Sequence, residues 1–317
     1  MPRKLPEPLD SAPLAYENAA FLNSPDGRIM RIVSEYSEPL ARFRRERVRD
    51  TVVFFGSARF QALDVAHHEL ELLENTGSVQ PAPKQEQPAR SAEIEEGTAT
   101  ELSLSRAKAA VEMAQYYEDA RRLAFLLTEW TRTLRSRRHR FVVTSGGGPG
   151  IMEAANRGAY EAGGKSIGLN IRLPFEQYPN RYITPSLNFE FHYFFMRKYW
   201  FAYLAKALVV FPGGFGTLDE MFEILTLAQT EKLAKKITVV LYGPSYWNEV
   251  LNLDVLVEKG TISPRDRELF QIADTPEQAF AMLKEGLTVN HLDPEGARAD
   301  QEFPESEDDP EIAHTRK

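Results

Sequence analysis

Short apolar runs alternate with amphipathic stretches along most of the chain. Strands are predicted at 51–55, 140–144, 166–171, 188–194, 207–211 and 237–242, and helices at 29–47, 150–162, 196–205 and 217–230, with more near 244–258, 265–271 and 276–285. Strands of this length that alternate with helices indicate βαβ units and a parallel sheet covered on both faces. We therefore predict a single Rossmann-like, doubly wound α/β domain with a mostly parallel sheet.

A long helix is predicted ahead of the strand at 140–144. Its apolar residues step by three and four and form one continuous stripe, made of Met113, Tyr116, Ala120, Leu123, Leu127 and Trp130. A stripe of this kind faces a core or a subunit interface.

Three regions depart from this regular alternation. Residues 1–50 are predicted to form an N-terminal arm and a helix, whose arginine-rich end we interpret as a solvated face. Residues 74–101 hold too few large apolar side chains to order themselves, which predicts a flexible insertion within the domain at 51–290. Residues 291–317 are predicted to be an acidic, disordered tail.

The composition narrows the class of protein. The 317 residues carry 38 Lys and Arg against 46 Asp and Glu, so the net charge of −8 repels nucleic acid and anionic membranes, and we expect neither as a partner. The chain has no cysteine and its six histidines show no ligand spacing, so we expect no metal. Neither a signal peptide nor a membrane-spanning run is evident, which predicts a cytoplasmic protein.

Three predicted strands end in small residues at the edge of the sheet where such folds bind ligands. They lead into Gly56-Ser57-Ala58, a first glycine turn at 145–150 and a second glycine turn at 212–217. In the second turn, glycines bring the backbone close to a ligand, and a helix predicted to start at about Thr217 adds unpaired N–H groups. Neither turn has Walker or dinucleotide spacing, so we predict the phosphate of one mononucleotide.

The same residues also allow a purely structural interpretation. Thr217-Leu-Asp-Glu220 fits a capping box, in which Glu220 would satisfy only the local backbone, and the motif alone leaves both roles open. However, the predicted helix at 196–205 opens with Arg197 and Lys198 among aromatic residues, where a solvated face is hard to arrange. Such cations need a partner, which a bound phosphate or Glu220 would supply.

These motifs resemble the Lonely Guy (LOG) family of phosphoribohydrolases, which release free base from nucleoside 5′-monophosphates. The likeness is carried by PGGFGTLDE at 212–220, SGGGPGIMEAANRGA at 145–159, GSA at 56–58 and the Arg-Lys pair at 197–198, and it covers roughly residues 51–285. The resemblance implies that Glu220 and Arg197 are catalytic. It places the substrate or its phosphate at Ser57, Gly147, Gly148, Lys198, Gly213, Gly214, Gly216 and Thr217, and it implies a homodimer or larger homo-oligomer.

The resemblance also bears on cofactor and substrate. Close relatives were long labelled lysine decarboxylases, but nothing here marks a Schiff-base lysine or a pyridoxal phosphate site, and we expect no cofactor. Compact members carry a glutamate just before the arginine, where this chain has Met196. We therefore expect a more apolar base pocket, and AMP or another purine monophosphate rather than a cytokinin precursor, as in the longer bacterial branch.

The predicted reaction is hydrolysis of the bond between base and ribose. Glu220 would stabilise the oxocarbenium-like transition state and orient the attacking water, while Arg197 would contact either the base or the phosphate. Two alternatives remain open. The first is a non-catalytic nucleotide sensor or cofactor carrier of the same fold, and the second is an interaction protein that recruits partners through its insertion and tail.

Overall fold

Seven strands form one sheet in the computed structural model, which describes residues 11–76, 96–136, 138–174, 178–233 and 235–292. The strands are β1 (Thr51–Phe55), β2 (Val142–Ser145), β3 (Ser166–Ile171), β4 (Asn188–Phe191), β5 (Ala205–Val210), β6 (Thr238–Tyr242) and β7 (Gln271–Ala273). Their order is β4-β3-β2-β1-β5-β6-β7, and each of these pairings is parallel. The predicted doubly wound, mostly parallel sheet is confirmed.

Helices cover both faces of the sheet. They are α1 (Ala19–Asn23), α2 (Arg28–Arg45), α3 (Leu63–Thr76), α4 (Glu96–Arg132), α5 (Ile151–Glu161), α6 (Phe194–Leu204), α7 (Phe215–Gln229), α8 (Pro244–Val250), α9 (Leu253–Glu258) and α10 (Pro276–His291). One apolar cluster joins the sheet to α4, α5 and α10 and includes Leu127 and Leu283. A second joins it to α2, α6 and α7 and includes Trp200 and Met221.

The strand order reverses at the centre of the sheet. From β1 the chain proceeds to β2, β3 and β4 on one side, and it then returns to place β5 directly against the other side of β1. In open α/β sheets, ligands bind in the crevice outside the carboxyl ends of the two strands where the order reverses. That crevice lies here beyond Phe55 of β1 and Val210 of β5.

A glutamate on α2 holds the start of α6 in place. Glu35 accepts hydrogen bonds from the backbone N–H groups of His192 (2.7 Å) and Tyr193 (3.3 Å), just ahead of α6. Its backbone carbonyl accepts a hydrogen bond from the Trp200 indole at 2.8 Å. Helix α2 therefore fixes the position of α6, the helix that carries Arg197.

Several elements and boundaries depart from the sequence predictions: the strand predicted at 188–194 ends at Phe191, and the helix predicted at 244–258 is the pair α8 and α9. The apolar pattern predicts neither α3 nor the three-residue β7, whose Gln271 and Ile272 are exposed. The predicted flexible insertion at 74–101 is wrong at both ends, because residues 74–76 complete α3 and residues 96–101 begin α4. A packed helix extends at low cost once its first turns exist, even through polar sequence. Residues 77–95 of the insertion and 293–317 of the tail lie outside the described residues.

Candidate active site

Ser57 joins the three strand ends that the sequence singled out. Its backbone N–H donates to the carbonyl of Pro212 at 3.0 Å, and its own carbonyl accepts from the Ile151 N–H at 3.0 Å. The Ser57 hydroxyl accepts a hydrogen bond from the Arg59 N–H at 3.1 Å. The segment after β1 thus ties both glycine turns to one edge of the sheet.

The second glycine turn opens directly into α7, which begins at Phe215. Gly214 is the N-cap and makes no side-chain capping bond, while the first helical bond runs from the Leu218 N–H to the Gly214 carbonyl at 3.0 Å. The capping-box interpretation is therefore wrong, because Thr217 lies inside the helix. The three preceding N–H groups, at residues 215–217, have no acceptor within the helix.

The protein itself leaves space around two glycines of this turn. A Cβ built on Gly214 or Gly216 would meet no atom within 4 Å, whereas one on Gly213 would overlap the Thr217 hydroxyl and lie 3.0 Å from the Ser57 nitrogen. The carbonyl of Gly213 accepts a hydrogen bond from the Tyr246 hydroxyl at 2.9 Å. Thr217 is buried at the base of the turn.

Arg197 and Glu220 form a buried pair beside this turn. The Arg197 Nη2 donates to the Glu220 Oε1 at 3.2 Å, and the two side chains are 15% and 7% exposed. The guanidinium lies 5.3 Å from the ring centre of Phe194 and 5.5 Å from that of Phe201. Its Nε is buried and has no hydrogen-bond partner among the described residues, so one strong donor remains available.

Burial controls the ionisation of this pair. Loss of hydration raises the pKa of Glu220 to about 7, against the opposing charges of Arg197 and Lys198. The same loss of hydration lowers the pKa of Arg197, although the Glu220 carboxylate acts in the other direction. A carboxyl group with a pKa near 7 can both release and accept a proton at neutral pH.

Lys198 points away from the pair, although it is the next residue to Arg197. Its Nζ lies 2.8 Å from the Asp219 carboxylate and 3.0 Å from the Glu223 carboxylate. Adjacent residues on a helix face in different directions, so the two cations separate. Lys198 therefore ties α6 to α7 through Asp219 and Glu223, which precede and follow Glu220 in the sequence.

The first glycine turn is held by polar side chains that the sequence analysis missed. The Asn180 side-chain amide donates to the carbonyls of Gly147 (3.0 Å) and Gly148 (3.1 Å), and to the Asn156 Oδ1 (2.9 Å). The Gly147 N–H is itself bonded to the Ser145 hydroxyl at 3.0 Å. Two asparagines are the sequence signals for this contact. Asn180 lies in the loop after β3, and Asn156 lies on the buried face of α5.

The fold and the site together define the class: a doubly wound parallel α/β protein with an open helix N-terminus and a buried Arg–Glu pair at its switch point. Among the described residues, no group of three or more metal-binding side chains occurs. Within the same ranges, no helix is long and apolar enough to cross a membrane.

Comparison with known proteins agrees with this class. A family model described as "Possible lysine decarboxylase" matches residues 152–283. The probable cytokinin riboside 5′-monophosphate phosphoribohydrolase LOGL3 of Oryza sativa subsp. japonica is 30% identical over 155 residues, which are 45% of this chain and 68% of that protein. Cytokinin riboside 5′-monophosphate phosphoribohydrolase LOG3 of Arabidopsis thaliana is 31% identical over 150 residues, 45% of this chain and 66% of that protein. The chain therefore belongs to the LOG family.

Solved structures overlap the chain more loosely. The molybdenum cofactor binding protein of Rippkaea orientalis has a TM-score of 0.39 at 18% identity and covers 54% of this chain and 86% of its own. The molybdenum cofactor carrier protein of Chlamydomonas reinhardtii has a TM-score of 0.37 at 22% identity, with 55% and 89% covered. Overlaps as loose as these do not bear on function.

Proposed function

We propose that this protein hydrolyses the N-glycosidic bond of a purine nucleoside 5′-monophosphate such as AMP, releasing free base and ribose 5-phosphate. The observation that carries the proposal is the buried Arg197–Glu220 pair, joined at 3.2 Å beside the start of α7. The relatives named as phosphoribohydrolases support the same class of reaction.

The start of α7 is the proposed phosphate site. The N–H groups of residues 215–217 and the Thr217 hydroxyl are the donors, and the helix dipole adds partial positive charge. The open space at Gly214 and Gly216 lets phosphate oxygens approach the backbone. In this proposal Lys198 acts by holding α6 on α7, because Asp219 and Glu223 already neutralise it.

Glu220 is the proposed catalytic carboxylate. A water oxygen attacks C1′ of the ribose and gives one proton to Glu220, while the bond between C1′ and the base nitrogen breaks with its electron pair leaving on the base, which takes up a proton from solvent to give the free base. The carboxylate also stabilises the positive charge that develops on the ribose. Arg197 donates its unpartnered Nε–H to an acceptor atom of the bound nucleotide and keeps Glu220 oriented.

Met196 supports the choice of AMP over a cytokinin precursor. Its side chain is buried in the same apolar cluster as Phe55 and Phe201, so position 196 brings no carboxylate to the site. A panel that includes AMP, GMP, CMP and isopentenyl-AMP, with free base measured by chromatography, tests the preference directly.

Replacing Glu220 tests the mechanism. We expect Glu220→Gln to slow release of adenine from AMP by about 10²–10⁴-fold with no loss of melting temperature, because glutamine keeps the shape and can still accept from Arg197. Glu249→Gln, at an exposed position on α8, is the control and should remain active. An active Glu220→Gln enzyme would overturn the proposal, and AMP that is bound but returned intact by the unmodified protein would favour a carrier.

The pH dependence follows from the raised pKa of Glu220. Only the ionised carboxylate takes a proton from water, so kcat/KM should increase with pH through about 7. The folded state holds this proton more tightly than the unfolded chain does. The free energy of unfolding should therefore fall by up to about 3 kcal/mol as pH rises from about 4.5 through 7, a loss absent in Glu220→Gln. A flat activity profile across neutral pH would contradict the assignment.

A homodimer or larger homo-oligomer and a cytoplasmic location stay predictions. Light scattering from the purified chain measures the first directly, and a monomer of 36.0 kDa would contradict it.

A further inference from the structure

At the edge of the sheet opposite the candidate active site, two adjoining chain segments carry six arginines. They come from the segments that lead into β1 and β2, and they are Arg44, Arg45, Arg47, Arg49, Arg135 and Arg138. Backbone hydrogen bonds join the two segments: the His139 N–H donates to the Arg47 carbonyl at 2.7 Å, and the Arg49 N–H donates to the His139 carbonyl at 2.9 Å. We call these six arginines the basic face.

The nearby acids leave the basic face uncompensated. Glu46 is bound to the Lys165 Nζ at 2.9 Å, and the buried Asp50 is bound to the Arg140 Nε at 2.7 Å. Within the described ranges, none of the six arginines takes part in a salt bridge. All except the half-buried Arg49 are exposed. A concentrated positive surface is notable on a chain of net charge −8.

The described chain ends beside this face. The last described helix, α10, ends at His291, whose backbone carbonyl accepts a hydrogen bond from the Arg140 Nη2 at 3.1 Å. Arg140 is two residues from Arg138. The sequence that follows is strongly acidic from Asp300 to Glu311 and contains no lysine or arginine over those twelve positions. An extended chain from Leu292 to Asp300 can span roughly 25 Å.

We propose that residues 300–311, which we call the acidic segment, bind the basic face of the same chain. One exposed ion pair stabilises a contact only weakly, so the binding needs several pairs formed together. The short connection from α10 supplies a high effective concentration, which makes such a multivalent contact favourable. The bound segment shields the basic face from other polyanions, independently of the activity proposed above.

A spin label on the acidic segment tests this contact. The chain has no cysteine, so Ser306→Cys provides one site for a nitroxide in an otherwise unmodified full-length protein. We expect the label to abolish or strongly weaken the backbone amide NMR signals of residues 44–49 and 138–140. Reduction of the nitroxide should restore them, as should molar salt, where the screening length falls to about 3 Å.

Charge variants separate binding from mere proximity. Changing the acids of residues 300–311 to Asn and Gln should restore the signals, and so should Arg45→Gln combined with Arg138→Gln. Arg181→Gln combined with Arg265→Gln removes the same charge from exposed positions elsewhere and should leave the broadening unchanged. Sharp signals in the labelled chain, or equal broadening with a neutral segment, would overturn the proposal. Equal retention on heparin of the full chain and of a chain ending at residue 297 would instead assign the face to an external polyanion.

Discussion

The two glycine turns look alike in sequence but differ in what surrounds their glycines. In the first turn, Gly147 (φ 76°) and Gly150 (φ 71°) adopt backbone conformations that side chains rarely reach. A Cβ on Gly147 would overlap the Asn170 side chain, and one on Gly150 would overlap the Ser57 carbonyl. In the second turn, Gly214 has a φ of −92° and Gly216 has no positive φ. A Cβ on either residue would meet no atom within 4 Å.

This difference separates two reasons for which a chain uses glycine. The first turn needs glycine because its backbone has positive φ values and packs against Asn170 of β3 and against the segment after β1. The second turn needs glycine at Gly213 for packing, but the fold places no such demand on Gly214 or Gly216. Open glycines next to free helical N–H groups are what a backbone-bound anion requires. We therefore propose the second turn as the place where the ligand phosphate binds, and the predicted contacts of Gly147 and Gly148 with the substrate stay predictions.

The largest effect on folding should come from Gly150→Ala. A methyl group there would overlap the Ser57 carbonyl and lie 2.7 Å from the Ala58 carbonyl carbon, so backbone must move, and we expect a loss of about 3 kcal/mol or more in urea unfolding. Gly260→Ala is the matched control, since Gly260 has φ 70° with no atom within 4 Å, and it should cost only about 1 kcal/mol. Equal losses in the two variants would show that close packing at Ser57 contributes nothing.

A smaller loss should follow Asn180→Ala. The change removes the side-chain donors to the buried carbonyls of Gly147 and Gly148, while the Asn180 N–H still donates to Gly147, so we expect a cost of about 1–3 kcal/mol. Hydrogen exchange at residues 146–150 should also accelerate. Asn23→Ala, which removes one exposed side-chain bond, is the control. If Asn180→Ala costs no more than this control, the first turn does not depend on Asn180.

The sequence predicts the sheet better than it predicts the site. Residues 166–171 form a strand with the predicted bounds, because short apolar runs between helices are a local signal. The bond from Asn180 to Gly147 crosses 33 residues and has no local signature. Likewise, the sequence offers the adjacent Arg197 and Lys198 the same possible partners, a bound phosphate or Glu220, yet the helix turns Arg197 toward Glu220 and Lys198 toward Asp219. Side-chain direction depends on where each helix begins, and α6 and α7 begin at Phe194 and Phe215, two residues before the predicted starts at 196 and 217.

Gly216→Ala should leave folding intact and weaken ligand binding. Alanine is favoured over glycine inside a helix, and its methyl group meets no protein atom within 4 Å, so the free energy of unfolding should stay unchanged or rise by up to about 1 kcal/mol. If phosphate oxygens approach the start of α7, the same methyl group obstructs them, and the Kd for AMP should increase about tenfold, or roughly 1.4 kcal/mol. Calorimetric titration measures this change, with Gly260→Ala as the variant that should bind AMP normally. Unchanged affinity in Gly216→Ala would mean that the open glycines serve only the helix start, and that phosphate binds elsewhere along the switch-point crevice.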